Sequence, residues 1–399
     1  MQTVLLAAGD GERLEPLSAS VPKPLVPVGG DPLLVHVARR AVAAGASALV
    51  VVVPPYYQPF ARALGDAVDG VPVTYAVQPR PMGTANALVV ARNHLDGDFV
   101  VLPGDALYDD AALASIYANV PTVGVRARDE PATDPVVVGD GGPLEVERLD
   151  DDESGAYVDA GACSLPAEAK QWTRPPTNDA GERDLAAVVE RTAAGHDLRP
   201  VVVDDHVDVD SPGDLLAANR RAFDEWAERS PGQLVEGSVH EMARLHGPVR
   251  VEPGASVAYG AVVEGPAIVA AGARIEADAY VRPYSYVGPK VVVGHGTEVS
   301  SCILLSGATI GSMSALADSV VGPDADIGAR THVVGPTQVP DALDAEATVG
   351  PRSTPEPDFG VVVGESATLG DDVHVDPGVV VPRYASVDTG TRLRASDGR

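Results

Sequence analysis

Near its N-terminus the chain reads "LLAAGDGERLEPLSASVPKPLVPVGG", and four residues of this stretch suit phosphate chemistry. Gly9 and Gly11 carry no side chain, so backbone N–H groups beside them can approach phosphate oxygens closely. Arg13 offers a fork of donors that clamps phosphate, and Lys23 is a second, compact cation. Lys23 stands out because the 399-residue chain has three lysines (Lys23, Lys170 and Lys290), whereas the other 26 of its 29 basic residues are arginine. Two common phosphate-binding patterns do not fit. There is no GxxxxGK[ST], and "GDGERL" lacks the third glycine of a dinucleotide fingerprint.

A loop of this kind has to be presented by a strand end. Residues 1 to about 230 alternate strand and helix signals. "TVLLA" is a buried strand, Pro32 to Ala44 an alanine-rich helix ended by Gly45, and Ala48 to Val53 a second buried strand. "VTYAV", a helix from Thr84 to Asn93 and "FVVLPGD" follow, and a helix from Leu215 to Glu228 closes this half. Val-rich strands separated by helices predict an α/β domain with a mainly parallel sheet covered on both faces. Ligands of such sheets sit beyond the carboxyl ends of the strands.

After the linker "RSPGQ" the rhythm changes to a period of six. Val251, Val257, Val263, Val269, Ile275, Val281, Val287, Val293 and Val299 keep it without exception. The phase slips and resumes at Leu304, Ile310 and Leu316, then at Val321, Ile327 and Val333. It restarts at Val363 after an irregular stretch and runs to Leu393. Three such hexapeptides make one triangular coil of a parallel β-helix, each aliphatic pointing inward. The expected division is therefore residues 1–230 and 231–399.

With 57 acidic residues against 29 basic ones the net charge is −28, which excludes nucleic-acid backbones and anionic membranes as partners. The acids are scattered through patterned sequence rather than run together, so they do not signal disorder. Abundant acid with little lysine resembles the cytosolic proteins of extreme halophiles, where short carboxylates hold water and a long lysine stem would expose apolar surface. Two distant cysteines, Cys163 and Cys302, allow no disulfide framework or CxxC metal motif. No apolar run reaches a membrane span, and no basic region precedes an apolar stretch at the N-terminus, so a soluble cytoplasmic protein is expected.

The N-terminal string closely resembles the signature of sugar-1-phosphate nucleotidylyltransferases, LAAGxGxRLxPLTxxxPKPLxPV, with Ser18 where threonine is usual. "QPRPMGTANAL", "VLPGDAL" and "HVDVDSPGDLLAAN" extend the resemblance. It implies a Rossmann-like nucleotidyltransferase domain that joins a nucleoside triphosphate (UTP or dTTP) to a sugar 1-phosphate and releases pyrophosphate. Arg13 and Lys23 are then catalytic. Ala8, Gly9, Gly11, Gln78, Gly83 and Thr84 bind the nucleotide. Asp105 and Asp208 are ligands of Mg2+. Gly104, Glu147, Arg148 and Asp159 form the sugar site. Three positions depart from the family: Arg148 replaces a lysine, Asp159 an asparagine, and Asp210 a glycine beside the metal site.

The whole chain resembles archaeal bifunctional enzymes that also acetylate glucosamine 1-phosphate on a left-handed β-helix. That resemblance implies a homotrimer. In "SGATIGSMSALADSVVGPDADIGARTHVVG", however, Ser312 stands where the family has its acetyl-transfer histidine, and Arg330 replaces a glycine. Serine is no base for an ammonium substrate at neutral pH, so acetyl transfer is expected to be lost. His295 and His332 could substitute as bases, against the plainer reading as solvated corner residues. A fully bifunctional enzyme and a non-catalytic regulatory paralogue stay open as alternatives.

Overall fold

The computed structural model describes residues 1–80, 82–127, 135–136, 157–172, 184–336 and 357–395. The chain forms two units. Residues 1–10, 23–25 and 32–208 make one, and residues 11–22, 26–31 and 209–399 the other.

In the first unit, uninterrupted aliphatic runs form the central strands Gln2–Leu6, Ala48–Val53 and Phe99–Pro103, which are buried on both faces. Its elements are β1 (Gln2–Leu6), α1 (Leu33–Ala43), β2 (Ala48–Val53), β3 (Val71–Val77), α2 (Thr84–Ala91), β4 (Phe99–Pro103), β5 (Thr122–Ala127), β6 (Tyr157–Leu165) and β7 (Arg199–Val202). They build one sheet in the order β7-β5-β6-β4-β1-β2-β3. Strand β6 runs antiparallel to β4 and β5, and the other neighbours on this path are parallel. Helix α1 buries Leu33, Leu34, Val37, Ala38 and Ala41 on one face, each large side chain worth roughly 1.5–3 kcal/mol. Leu6 of β1 lies opposite Pro103 of β4, so the loops after both strands leave the sheet side by side at its carboxyl edge.

The second unit is a left-handed parallel β-helix of eight coils, each giving one strand to each of three eight-stranded sheets. The nine aliphatic residues from Val251 to Val299 that keep the period of six all point inward and are at most 2% exposed. The phase slip has a simple origin. Val251, Val269 and Val287 are stacked eighteen residues apart, whereas Val287, Leu304 and Val321 are seventeen apart. The missing residue is dropped at the corner between the third sheet and the first, so every aliphatic still faces the core.

Backbone in the left-handed region recurs at the coil corners, at Gly254 and Gly272 but also at Asp278, Lys290 and Arg330. Arg330 takes this backbone with φ +56°. Its side chain is exposed and bidentate to Asp372 on the next coil, at 2.6 and 2.7 Å.

Helix α3 (Pro212–Arg229) groups with the coils rather than with the sheet. Ser211 and Asp214 form a capping box at its start. Asn219 Nδ2 donates to Tyr284 O at 2.9 Å, Tyr284 Oη donates to Asp224 at 2.9 Å, and Arg220 pairs with Asp318. Arg250 lies 5.2 Å from the Trp226 ring centre, and a Cβ at Gly213 would overlap the Asp358 carboxylate. Segment 26–31 joins the same unit: Gly29 N donates to Asn219 Oδ1 at 2.9 Å.

Candidate active site

Lys23 opens a short 3-10 turn, Lys23–Leu25, held between Pro22 and Pro24, whose rings fix the local backbone. Its side chain is only 8% exposed, and its ammonium lies 2.8 Å from Asp105 Oδ2 and 3.7 Å from Asp208 Oδ1. A buried ammonium is tolerated only when paired in this way. Asp105 follows β4, and Asp208 ends the two-residue strand Val207–Asp208, which pairs antiparallel with Ala106–Leu107. Because Asp208 lies opposite Ala106, the two carboxylates become neighbours although 103 positions separate them in sequence.

Gly104 makes this geometry possible. Its N–H donates to Leu6 O at 2.8 Å, and a Cβ there would sit 2.7 Å from that same oxygen. Its smallness is thus required by the close approach of β1 and β4. Gly9 differs: a Cβ there would meet nothing within 4 Å, so packing does not require a glycine, and the open space suits a ligand. Ala8 precedes it in the loop that leaves β1.

Tyr108 was not singled out in the sequence, yet it underpins the site. It is 1% exposed, its hydroxyl donates to Ala160 O at 2.6 Å, and its ring lies 4.9 Å from that of His206. Burial, and then the nearby charges of Asp208, Asp159 and Asp105, push its pKa well above the ordinary tyrosine value. It stays protonated and acts as a strut. Those three carboxylates therefore share one neighbourhood. Asp159 Oδ1 accepts from Gly161 N at 2.7 Å, across the bulge in β6. Gly161 has φ +79°, and a Cβ there would meet Pro103 at 2.8 Å.

Gln78 is buried and its Nε2 donates to Asn86 Oδ1 at 3.0 Å, while Gly83, with φ +88°, precedes α2. The Thr84 hydroxyl is engaged with Asp184, at 3.3 Å, and with Leu185 N, at 2.8 Å, so it ties the start of α2 to residues about a hundred positions later. Glu147 and Arg148 lie outside the described residues. Both cysteines are buried and protonated; burial raises the Cys302 thiol to about 12 and the Cys163 thiol further.

In the second unit Gly11 adopts φ +65° and starts the 3-10 turn Glu12–Leu14. Arg13 on that turn is 78% exposed and pairs with Asp210 at 2.6 Å. Asp210, the departure from the family's glycine, is thus the partner of the expected phosphate clamp. On the coils Ser312 brings no base. His295 Nδ1 lies 2.8 Å from Ala277 O, and His332 stacks on His374 with ring centres 5.1 Å apart.

As to metal, Asp105 and Asp208 converge on the Lys23 ammonium and offer the hard oxygen donors that Mg2+ takes. Among the described residues no group of three or more His, Cys, Asp or Glu side chains converges as a complete metal cage.

Residues 2–122 match the family described as "Nucleotidyl transferase", and residues 263–384 match "GMPPB C-terminal domain". A relative named "Bifunctional protein GlmU" from Methanococcus maripaludis C7 is 30% identical over 396 residues, covering 96% of this chain and 92% of the relative. "UTP--glucose-1-phosphate uridylyltransferase AglF" of Haloferax volcanii is 35% identical over 191 residues, 48% of this chain and 65% of that one. "Probable mannose-1-phosphate guanylyltransferase 3" of Oryza sativa is 26% identical over 405 residues, 96% of both chains. A crystal structure of a putative glucose-1-phosphate thymidylyltransferase from Bacillus anthracis shares the fold, with TM-score 0.50 and 21% identity over 56% of this chain and 95% of that one.

Proposed function

Because the chain belongs to the sugar-1-phosphate nucleotidyltransferases that carry a C-terminal left-handed β-helix, we propose that it joins UTP or dTTP to a sugar 1-phosphate of the glucose or N-acetylglucosamine class. The observation that carries this is the buried Lys23 ammonium shared between Asp105 and Asp208 at the carboxyl edge of the sheet.

A sugar-phosphate oxygen forms the new bond to the α-phosphorus of the triphosphate, and the bond from that phosphorus to the departing pyrophosphate breaks. Such transfers are catalysed by positioning and charge neutralisation, so no protein nucleophile is required. Lys23 supplies a fixed positive charge to the reacting phosphates. Arg13 clamps the triphosphate, and the open space at Gly9 lets backbone amides approach it. Gln78 and Gly83, with Ala8 and Gly11, border the nucleotide, and Thr84 positions α2 beside it. Gly104, Glu147, Arg148 and Asp159 border the sugar. Asp105 and Asp208 would hold Mg2+, which would supply Lewis-acid neutralisation of phosphate charge.

The coils are proposed to assemble a homotrimer and to have lost acetyl transfer, since Ser312 is no base. Among the described residues no helix is long and apolar enough to cross a membrane, and a cytoplasmic location is part of the proposal.

A pyrophosphate-release screen of UTP, dTTP and GTP against glucose, N-acetylglucosamine and mannose 1-phosphates, with Mg2+ and molar salt, tests the proposal. Turnover with a pyrimidine nucleotide and a gluco-configured sugar is expected, and no turnover with any pair would overturn it. The match over residues 263–384 and the rice relative favour a second reading, guanylyl transfer to mannose 1-phosphate, which the same screen separates. Thiol release from acetyl-CoA with glucosamine 1-phosphate is expected to be nil.

A further inference from the structure

The loop of residues 11–22 belongs to the β-helix unit, and its anchors lie on the seventh and eighth coils. Ser20 Oγ donates to Glu365 Oε2 at 2.8 Å. The same carboxylate oxygen accepts from Tyr384 Oη at 3.1 Å and lies 3.9 Å from Arg383 Nη1. Arg383 Nη1 in turn donates to Ala19 O at 3.3 Å. Glu365 and Arg383 thus bind consecutive residues of one loop, one through a side chain and one through the backbone.

This anchor connects rigidly to Arg13. Between Gly11 and Val21 the backbone is a continuous run of turns: Leu14 N to Gly11 O, Leu17 N to Leu14 O, Ser18 N to Leu14 O, Ser20 N and Val21 N to Leu17 O. Leu14 and Leu17 are fully buried within it. Arg13's partner is supported from the same coil region: Asp210 adjoins the first turn of α3, where the Asp358 carboxylate packs on Gly213 just before the seventh coil begins at Val361. Both sides of the Arg13–Asp210 pair therefore stand on one stretch of the β-helix.

We infer that Glu365 is a positioning residue for nucleotidyl transfer: with Arg383 it fixes, through Ser20 and Ala19, the loop that presents Arg13 to the triphosphate. Because Glu365 acts through Arg13, the inference rests on the triphosphate role proposed for that residue.

The test compares Arg13→Ala, Ser20→Ala, Glu365→Gln and the Ser20→Ala/Glu365→Gln double variant in the full chain by steady-state pyrophosphate release, with the unfolding midpoint of each. Asp372→Asn is the control, since it breaks a coil-to-coil ion pair away from the loop. Ser20→Ala and Glu365→Gln are each expected to raise KM for the triphosphate by about two- to tenfold, the effect of losing one hydrogen bond. KM for the sugar 1-phosphate and the unfolding midpoint stay unchanged, and the double variant resembles either single one, as expected for partners in one interaction. If Arg13→Ala impairs the enzyme while Ser20→Ala and Glu365→Gln leave KM untouched, the positioning role fails and the role of Arg13 stands. An unaffected Arg13→Ala enzyme overturns the role of Arg13 and the inference with it. An equal rise in Asp372→Asn would show that any loosened coil has this effect and would also overturn the inference.

Discussion

At the scale of single residues the site is a balance of charges. Lys23 is the one lysine of the three that the structure buries beside two carboxylates, and removing it would leave Asp105 and Asp208 facing each other. Lys23→Ala is expected to lower kcat by about 10²–10³-fold, comparable to deleting a preorganised charge partner, with the coils intact by circular dichroism. Full activity in that variant would refute its role. Arg13 poses the opposite problem, because Asp210 already holds it. On the role proposed for Arg13, a triphosphate has to compete with that carboxylate. Asp210→Asn should therefore lower KM for the triphosphate by about two- to fivefold, the reach of an exposed ion pair. The advantage should shrink in molar salt, which screens the pair; a KM that rises instead would mean that Asp210 aligns Arg13 rather than competing for it. The motif string was legible in sequence because its residues are contiguous. The Arg13–Asp210 pair, 197 positions apart, was not, although the unusual Asp210 was the signal pointing to it. Tyr108 gave no signal at all, since the acceptor of its hydroxyl, Ala160 O, lies 52 positions away in sequence.

At the scale of elements, the inward aliphatics of the coils could be read directly, because each hexapeptide repeats one side of the same triangle. What periodicity could not supply was which outer residues meet. His332 and His374 stack because their strands are parallel neighbours in register, forty-two residues apart across a long insertion. Burial and the neighbouring His374 depress the pKa of His332 below its ordinary 6.5. The folded state thus favours the neutral ring. The corresponding stability is complete above pH 6.5 and is lost as pH falls through the depressed folded value. The unfolding midpoint should fall between pH 7.5 and 5, and His332→Gln should flatten that slope; an unchanged slope would remove the stacked pair from the account.

At the scale of the whole molecule, a net charge of −28 repels itself, and salt screens that repulsion. The unfolding midpoint should climb as potassium chloride rises from 0.1 to 2 M, and a midpoint that falls would detach the acidic composition from salt adaptation. The two rhythms of the sequence did foretell the two kinds of architecture. The allocation of residues 11–22 and 26–31 to the coil unit was illegible, because it rests on contacts such as Ser20 to Glu365, 345 positions apart.

Helix α3 also acts as a gauge. From Gly213 to Trp226 it meets Asp358, Asp318, Tyr284 and Arg250 in turn, which descend from the seventh coil to the second. Thirteen helical steps span about 20 Å, and five coil spacings span about 24 Å. The two lengths agree to within one coil. Coil number and helix length are therefore not independent: a relative with one more coil in this interval would need about three more residues of helix, close to one turn, to keep the same partners.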